Sequence, residues 1–134
     1  MKLNFIIVDD RELDCYIAEK LIYNTGKCNH FKAYDNAVEA LQDVKTLQPE
    51  EDTLTILLLD IMMPVMNGFQ FIEEFETLPK EVKNHYRIIS ITTSLNKNDI
   101  SRIATYDSVY GVLRKPYSYE DFEEMINKIN KEFG

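Results

Sequence analysis

The most informative pattern in this chain is LLLDIMMPVMNG, residues 57–68. It opens with three leucines of a longer apolar run, which is typical of a strand buried on both faces of a sheet. Asp60 follows at once, and Pro64 and Gly68 then mark a loop. A carboxylate is costly to place at the end of a buried strand, so this position indicates an acid that is used for chemistry.

Two other apolar runs also end in charged residues. Residues 3–8 are followed by Asp9 and Asp10, and residues 112–113 are followed closely by Lys115. If these runs are parallel strands, their carboxyl ends meet at one edge of the sheet. The three acids and the lysine then converge on a single site, which suits a divalent cation, a phosphoryl group and a carboxylate nucleophile.

Short apolar runs alternate with amphipathic stretches along the whole chain. We predict strands at Leu3–Asp9, His30–Tyr34, Leu54–Asp60, Arg87–Thr92 and Tyr110–Arg114. We predict helices at Arg11–Asn24, Asn36–Leu47, Gly68–Leu78, Asn98–Tyr106 and from Ser118 onward. This (βα)5 pattern predicts an α/β fold with a doubly wound, five-stranded parallel sheet and helices on both faces. Ligands bind such sheets outside the carboxyl ends of the strands.

The length, net charge and composition of the chain limit the classes of protein to which it can belong. The chain has 134 residues and a net charge of −8, so we expect one domain over residues 1–134, with no attached output domain. The acidic balance argues against direct nucleic-acid binding. Cys15 and Cys28 lack metal-binding spacing, which favours reduced thiols. We see no leader sequence and no membrane-spanning run of about 20 apolar residues, so we expect a cytoplasmic protein that does not bind a membrane.

The residues that end the predicted strands are similar to the motifs of a known protein family. Asp9-Asp10, Asp60, Thr92 and Lys115-Pro116 end the first, third, fourth and fifth predicted strands. With these motifs, and with the Pro and Gly four and eight residues after the central aspartate, the chain resembles the response regulator receiver domains of two-component signalling. The resemblance covers essentially the whole chain. It implies the flavodoxin-like receiver topology with strand order 2-1-3-4-5.

The resemblance implies a Mg²⁺ site built from the acids. Asp10 would be a direct ligand, Asp9 would hold a metal-bound water, and Asp60 and the backbone carbonyl of Met62 would complete the set. Mg²⁺ prefers hard oxygen ligands and keeps several waters, and Mn²⁺ is expected to substitute. Three close carboxylates repel one another, and a cation removes that repulsion.

The resemblance also assigns the groups around the phosphoryl group. Asp60 would be the phosphoacceptor, since a carboxylate can form an acyl phosphate. Lys115 would place its charge on the phosphoryl oxygens, next to the cis Lys-Pro bond usual in the family. Thr92 would donate its hydroxyl; Thr93 stands where a small residue is common, but the strand pattern favours Thr92. Taken one at a time, these residues also fit roles that involve no phosphate. An aspartate can cap a helix or be a solvated acid, a lysine can lie on the surface, and a threonine can simply favour a strand.

Two features depart from the family pattern. An aromatic residue that reports activation usually lies three residues before the lysine, but here Val112 holds that place and Tyr110 lies two residues earlier. We therefore expect output through loop and helix movements around Thr92 and Ser94. Met62 and Ser94 also flank the path of an attacking water in this family, so we expect them to tune the lifetime of the phosphorylated state, with slow to intermediate autodephosphorylation.

The partners are expected to be proteins. By resemblance, a histidine kinase or histidine phosphotransfer protein would dock on the first helix, near Leu13, Asp14 and Ile17. Exposed tyrosines commonly anchor interfaces, so Tyr106, Tyr110 and Tyr117 are candidates for contact with an unknown downstream protein; partly buried edge packing is the alternative. A monomer and a phosphorylation-linked dimer are both compatible with the sequence.

The leading interpretation is a stand-alone receiver, not an enzyme acting on external substrates. One alternative is a phosphorelay intermediate that passes the phosphoryl group to another histidine. A Mg²⁺-dependent phosphohydrolase is a remote alternative, because it would need a second acid at the position of Met62. A flavin-binding domain would need a Ser-, Thr- and Gly-rich loop after the first strand, where this chain has Asp9-Asp10-Arg11-Glu12.

Overall fold

The structure is a computed structural model that describes residues 2–93 and 96–133. Strands and helices alternate within these residues, except that two helices follow one another between the third and fourth strands. The strands are β1 Lys2–Val8, β2 Cys28–Tyr34, β3 Thr53–Asp60, β4 Tyr86–Thr92 and β5 Val109–Arg114. The helices are α1 Glu12–Asn24, α2 Ala37–Thr46, α3 Gly68–Glu76, α4 Lys80–Lys83, α5 Lys97–Ile103 and α6 Tyr119–Phe133.

The five strands form one parallel sheet with the order β2-β1-β3-β4-β5. This confirms the predicted α/β class and the order that the family resemblance implied. In the register, Val8 pairs with Leu59 at the end of β1, and Asp60 pairs with Ile91 near the end of β4. The charged strand ends therefore lie at a common edge of the sheet.

The apolar core has two layers, one on each face of the sheet. Alternate residues of the central strands enter different layers, so Leu57 and Leu59 pack with α2 and α3, whereas Leu58 packs with α1 and α6. This two-sided burial explains why β3 reads as a continuous apolar run. In α1 the buried residues are Ala18 and Ile22, whereas Leu13 and Ile17, which also recur at a helical spacing, are exposed.

The loop between β3 and α3 is tightly constrained. A Cβ atom on Gly68 would lie 2.5 Å from Ile61 Cδ1 and 2.7 Å from Ile61 Cα, so only glycine fits this close approach. Asn67 caps α3, since its side chain accepts from the Gln70 N–H and the Gln70 side chain accepts from the Asn67 N–H. Val65 has a positive φ of 70° although it is β-branched, and its side chain is exposed.

Element boundaries differ from the sequence prediction by a few residues. β2 begins at Cys28 instead of His30, and α3 ends at Glu76 instead of Leu78. The four-residue helix α4 was not predicted, because it is too short to show a helical period. No helix in residues 2–93 and 96–133 is long and apolar enough to cross a membrane.

Candidate functional site

Three carboxylates meet at the carboxyl edge of the sheet. Asp60 ends β3, and Asp9 and Asp10 follow β1. One oxygen of each lies within 4.8 Å of an oxygen of the others. Asp9 and Asp60 are 1% and 6% exposed, whereas Asp10 faces solvent. The sequence predicted this convergence, and the fold brings it about through the pairing of β1 with β3.

Backbone amides fix two of these carboxylates. Asp9 Oδ1 accepts from the Arg11 N–H at 3.0 Å, at the start of α1. Asp60 Oδ1 accepts from the Met62 N–H at 3.2 Å, at the start of the loop after β3. Hydrogen bonds of this kind orient the carboxylate and engage only one of its oxygens, so the second oxygen of each acid can meet other partners.

Lys115 brings a positive charge to the same acids. Its Nζ donates to Asp9 Oδ2 at 2.7 Å and to Asp14 Oδ2 at 2.9 Å, and it lies 3.9 Å from Asp60 Oδ2. Its backbone N–H donates to the Thr92 carbonyl at 2.8 Å, which joins the ends of β4 and β5. The Lys115–Pro116 peptide bond is cis, as the family resemblance implied.

Burial and charge shift the pKa values of the central groups. Desolvation by burial raises the pKa of Asp60 to about 6; Lys115 opposes this rise, and the charge of Asp9 adds to it. Burial acts to lower the pKa of Lys115, but the hydrogen bonds to Asp9 and Asp14 and the charges of Asp60 and Asp9 together outweigh burial, so the net shift of the pKa is upward. Lys115 is therefore a permanent cation that compensates part of the acidic charge.

The donor set fits a hard divalent cation. The three carboxylates are oxygen donors at mutual distances that one ion can bridge, and Mg²⁺ takes few carboxylates and completes its shell with water. The exposure of Asp10 leaves room for that water. Asp9, Asp10 and Asp60 are thus the residues that would hold the ion.

The other predicted site residues lie in different settings. Thr92 is buried at the end of β4, whereas Thr93 is exposed and lines a cavity of about 260 Å³ beside the site, together with Asp9 and Lys115. The side chain of Met62 is largely exposed. Ser94 lies outside the described residues.

The predicted docking residues on α1 differ from one another. Leu13 and Ile17 are 69% and 46% exposed, and Ile17 borders the cavity beside the site. Asp14, by contrast, directs its carboxylate at Lys115. Sequence reasoning placed Asp14 on the surface with its neighbours and missed this contact, since no local pattern links residues separated by about a hundred positions.

The predicted tyrosines make internal contacts. Tyr106 donates to Glu73 Oε2 at 2.7 Å, on α3. Tyr110 packs against the core layer formed with α1 and α6. Tyr117 packs on Phe122 with ring centroids 6.2 Å apart, lines the cavity beside the site, and burial raises its pKa to about 12. All three are partly buried, which agrees with edge packing.

Arg102 contributes a contact that the sequence did not reveal. Its guanidinium lies 4.1 Å from the centre of the Phe69 ring and 3.2 Å from Glu73 Oε2. Tyr106 also reaches Glu73. Because Ile103 is the only buried residue of α5, this network provides much of the attachment of α5 to α3.

Comparisons with known proteins agree with this geometry. The family model of the response regulator receiver domain matches residues 5–127. The crystal structure of a response regulator receiver protein from Dyadobacter fermentans is 28% identical, with a TM-score of 0.82, over 94% of this chain and 96% of that chain. A two-component response regulator from Cytophaga hutchinsonii is 20% identical, with a TM-score of 0.84, over 98% and 99% of the two chains.

A third structure contains a metal. The receiver domain of a sensor histidine kinase from Pseudomonas aeruginosa has a magnesium ion coordinated in its active site cleft. It is 15% identical, with a TM-score of 0.74, over 96% of this chain and 97% of that chain, and at this identity it supports the fold. Since the family model spans most of the sequence, the chain belongs to the response regulator receiver domains of two-component signalling.

Proposed function

We propose that this receiver accepts a phosphoryl group on Asp60 in a Mg²⁺-dependent reaction and signals through phosphorylation-dependent protein contacts. The observation that carries the proposal is the position of Asp60 between two further carboxylates and the ammonium group of Lys115. An isolated buried acid has no such surroundings. Here the same side chains can hold a cation and receive a group rich in negative charge.

The proposed step is an in-line displacement at phosphorus. One oxygen of the Asp60 carboxylate forms a bond to phosphorus while the bond to the donor breaks. With acetyl phosphate, the electron pair leaves with acetate; with phosphohistidine, it returns to the imidazole nitrogen. Asp60 is suited to this role because the Met62 N–H orients one oxygen.

The chain's own groups would stabilise the added charge. A phosphoryl group brings about −1.5 to −2 charge, and Lys115 is the cation nearest to Asp60 among the described ion pairs. Asp9, Asp10 and Asp60 would hold Mg²⁺, which would neutralise phosphoryl oxygens as the charge develops. Thr92 ends the neighbouring strand, where a small shift would bring its hydroxyl to the phosphoryl group.

We further propose that Asp60 is modified once per signal and that external substrates are not turned over. The position two residues after Asp60 carries the exposed, apolar side chain of Met62. It supplies no acid or base to activate water or protonate a leaving group. A long-lived aspartyl phosphate is the expected product.

The phosphodonor is proposed to be a histidine kinase or a phosphotransfer protein that docks on α1. Leu13 and Ile17 expose apolar surface on α1, and Ile17 lines the cavity that contains Asp9 and Lys115. An apolar surface next to a reactive centre suits a transient protein contact. Replacement of Leu13 by Ser should slow transfer from a protein donor and leave the reaction with acetyl phosphate unchanged.

The experiment that tests the function is intact mass spectrometry after incubation with Mg²⁺ and acetyl phosphate. Wild type should gain one phosphate, and Asp60→Asn should gain none. Asp35→Asn removes an exposed acid near the end of β2 and should still gain it. An adduct that persists in Asp60→Asn would refute the assignment of Asp60. No adduct with acetyl phosphate or with a panel of phosphorylated histidine proteins would refute the function.

A further inference from the structure

Asp14 has a contact that the proposed chemistry does not use. It lies in the first turn of α1, and its Oδ2 accepts a hydrogen bond of 2.9 Å from Lys115 Nζ. The Asp14 side chain is 25% exposed and that of Lys115 is 15% exposed. Ion pairs between fully exposed groups contribute little, but this pair is shielded enough from water to influence where Lys115 lies.

The position of Lys115 follows from this contact. Its ammonium has three N–H donors, and two of them serve Asp9 and Asp14. The distance of 3.9 Å to Asp60 Oδ2 exceeds that of a charge-assisted hydrogen bond. Asp14 thus holds the lysine toward α1, beside the candidate phosphoacceptor but out of hydrogen-bond contact with it.

We propose that Asp14 is a positioning residue that competes with the incoming phosphoryl group for Lys115. This inference rests on the proposed function of Asp60. Lys115 has a third N–H for phosphoryl oxygens, but movement of the ammonium toward Asp60 lengthens its contact with Asp14, whereas Asp9 sits deeper and keeps its own hydrogen bond to the ammonium. The Asp14 contact therefore restrains the rate at which the site accepts phosphate.

The test compares rates of phosphorylation by acetyl phosphate in the presence of Mg²⁺. Asp14→Asn keeps the size of the side chain and removes its charge, so Lys115 should be released and the rate should rise about three- to tenfold, as expected for loss of one hydrogen bond of typical net strength. Asp14→Glu restores the carboxylate and should return the rate toward that of wild type. Glu12→Gln is the matched control.

The Glu12→Gln control distinguishes loss of the contact between Asp14 and Lys115 from loss of one negative charge in the first turn of α1. Glu12 lies in the same turn of α1 but is not among the carboxylates within ion-pair distance of Lys115. Its neutralisation therefore removes an equal charge and an equal interaction with the helix dipole. If Glu12→Gln accelerates the reaction as much as Asp14→Asn, the effect is general electrostatics and the proposal is wrong.

A double-mutant cycle tests whether Asp14 acts through Lys115. In a Lys115→Met background, Asp14→Asn should no longer raise the rate. The same four proteins should show non-additive unfolding constants, by about three- to tenfold, in a measurement that needs no phosphate. Additive effects in both measurements would overturn the proposal.

Phosphorylation by a protein donor distinguishes a positioning role of Asp14 from a role in binding the phosphodonor. If Asp14 serves only to bind a phosphodonor, Asp14→Asn will change transfer from a phosphohistidine protein and leave the acetyl phosphate rate unchanged, which contradicts the positioning role. If wild type accepts phosphate from neither donor, the function proposed for Asp60 fails instead, and the unfolding cycle still reports the contact between Asp14 and Lys115.

Discussion

The metal-free protein should become more stable when Asp60 is replaced by Asn. Desolvation by burial raises the pKa of Asp60 from an ordinary value of 3.8 to about 6, even though Lys115 lowers it. A carboxyl group whose pKa is higher in the folded protein than in the unfolded chain is harder to ionise in the fold. At neutral pH its charge therefore reduces the free energy of unfolding.

The size of the effect follows from the pKa. One pKa unit corresponds to about 1.36 kcal/mol, so the rise from 3.8 to about 6 amounts to roughly 3 kcal/mol above pH 6. Asp10 is exposed at the edge of the site, and solvent that reaches this edge screens part of the penalty. Since Asn can still accept from the Met62 N–H, we expect Asp60→Asn to raise the free energy of unfolding by about 1–2 kcal/mol.

The pH dependence identifies the cause. Below about pH 4, Asp60 is protonated in both states and the substitution should have little effect. Between about pH 4 and pH 6 the unfolded chain ionises first, so wild type loses stability relative to Asp60→Asn, and the difference is complete above pH 6. Urea denaturation in EDTA across this range measures it, with Asp35→Asn as an exposed-acid control.

Addition of Mg²⁺ completes this experiment. The cation should raise the denaturation midpoint of wild type, since it binds the folded state, and should do so far less for Asp60→Asn. Two results would refute the view that the buried, ionised Asp60 destabilises the fold. One is an Asp60→Asn protein that is no more stable than wild type at pH 7 in EDTA. The other is a gain in stability that is the same at pH 4 as at pH 7.

Three further predictions concern positions away from the acids. Val65→Asn should raise the free energy of unfolding by about 1 kcal/mol in urea denaturation, because Asn tolerates a positive φ and the exposed valine side chain loses no packing; an unchanged midpoint would refute the strain. Gly68→Ala should cost about 2 kcal/mol or more, whereas Gly111→Ala should cost far less, since its nearest neighbour is the end of a flexible methionine; equal losses would contradict the tight turn. Arg102→Ala should lower the urea midpoint and speed hydrogen exchange in α5 more than Lys45→Ala does in its own helix, because only the arginine also stacks on an aromatic ring.

The sequence predicted those parts of the fold that depend on local pattern. The apolar run that ends at Asp60 identified a central strand, and parallel pairing then required the other strand ends to lie beside it. The position of the acids at one edge of the sheet follows from this parallel arrangement. Resemblance to a known family was needed for the strand order and for the roles of Lys115 and Thr92, because periodicity does not encode either.

The parts that could not be predicted depend on tertiary contacts. Leu13 and Ile17 look like a core stripe by their spacing, but the face of α1 that meets the sheet is the one with Ala18 and Ile22. Small residues such as alanine give a weak periodic signal, although they allow the close approach of helix and sheet. Asp14 is similar: its partner Lys115, which follows β5, comes near only when α1 packs on the sheet that contains β5.

The contacts of Lys115 and the pKa of Asp60 both depend on the balance of charge at the acid site. Asp9 and Asp14 take up two donors of Lys115, so the ammonium only partly compensates Asp60, and burial raises the pKa of Asp60 to about 6 although Lys115 acts to lower it. A phosphoryl group would add about −1.5 to −2 charge beside the same acids, more than one lysine can neutralise. The proposed acceptance of phosphate therefore calls for a second positive charge, which a cation held by Asp9, Asp10 and Asp60 would supply. It also calls for a lysine that can move, and by our proposal Asp14 limits that movement.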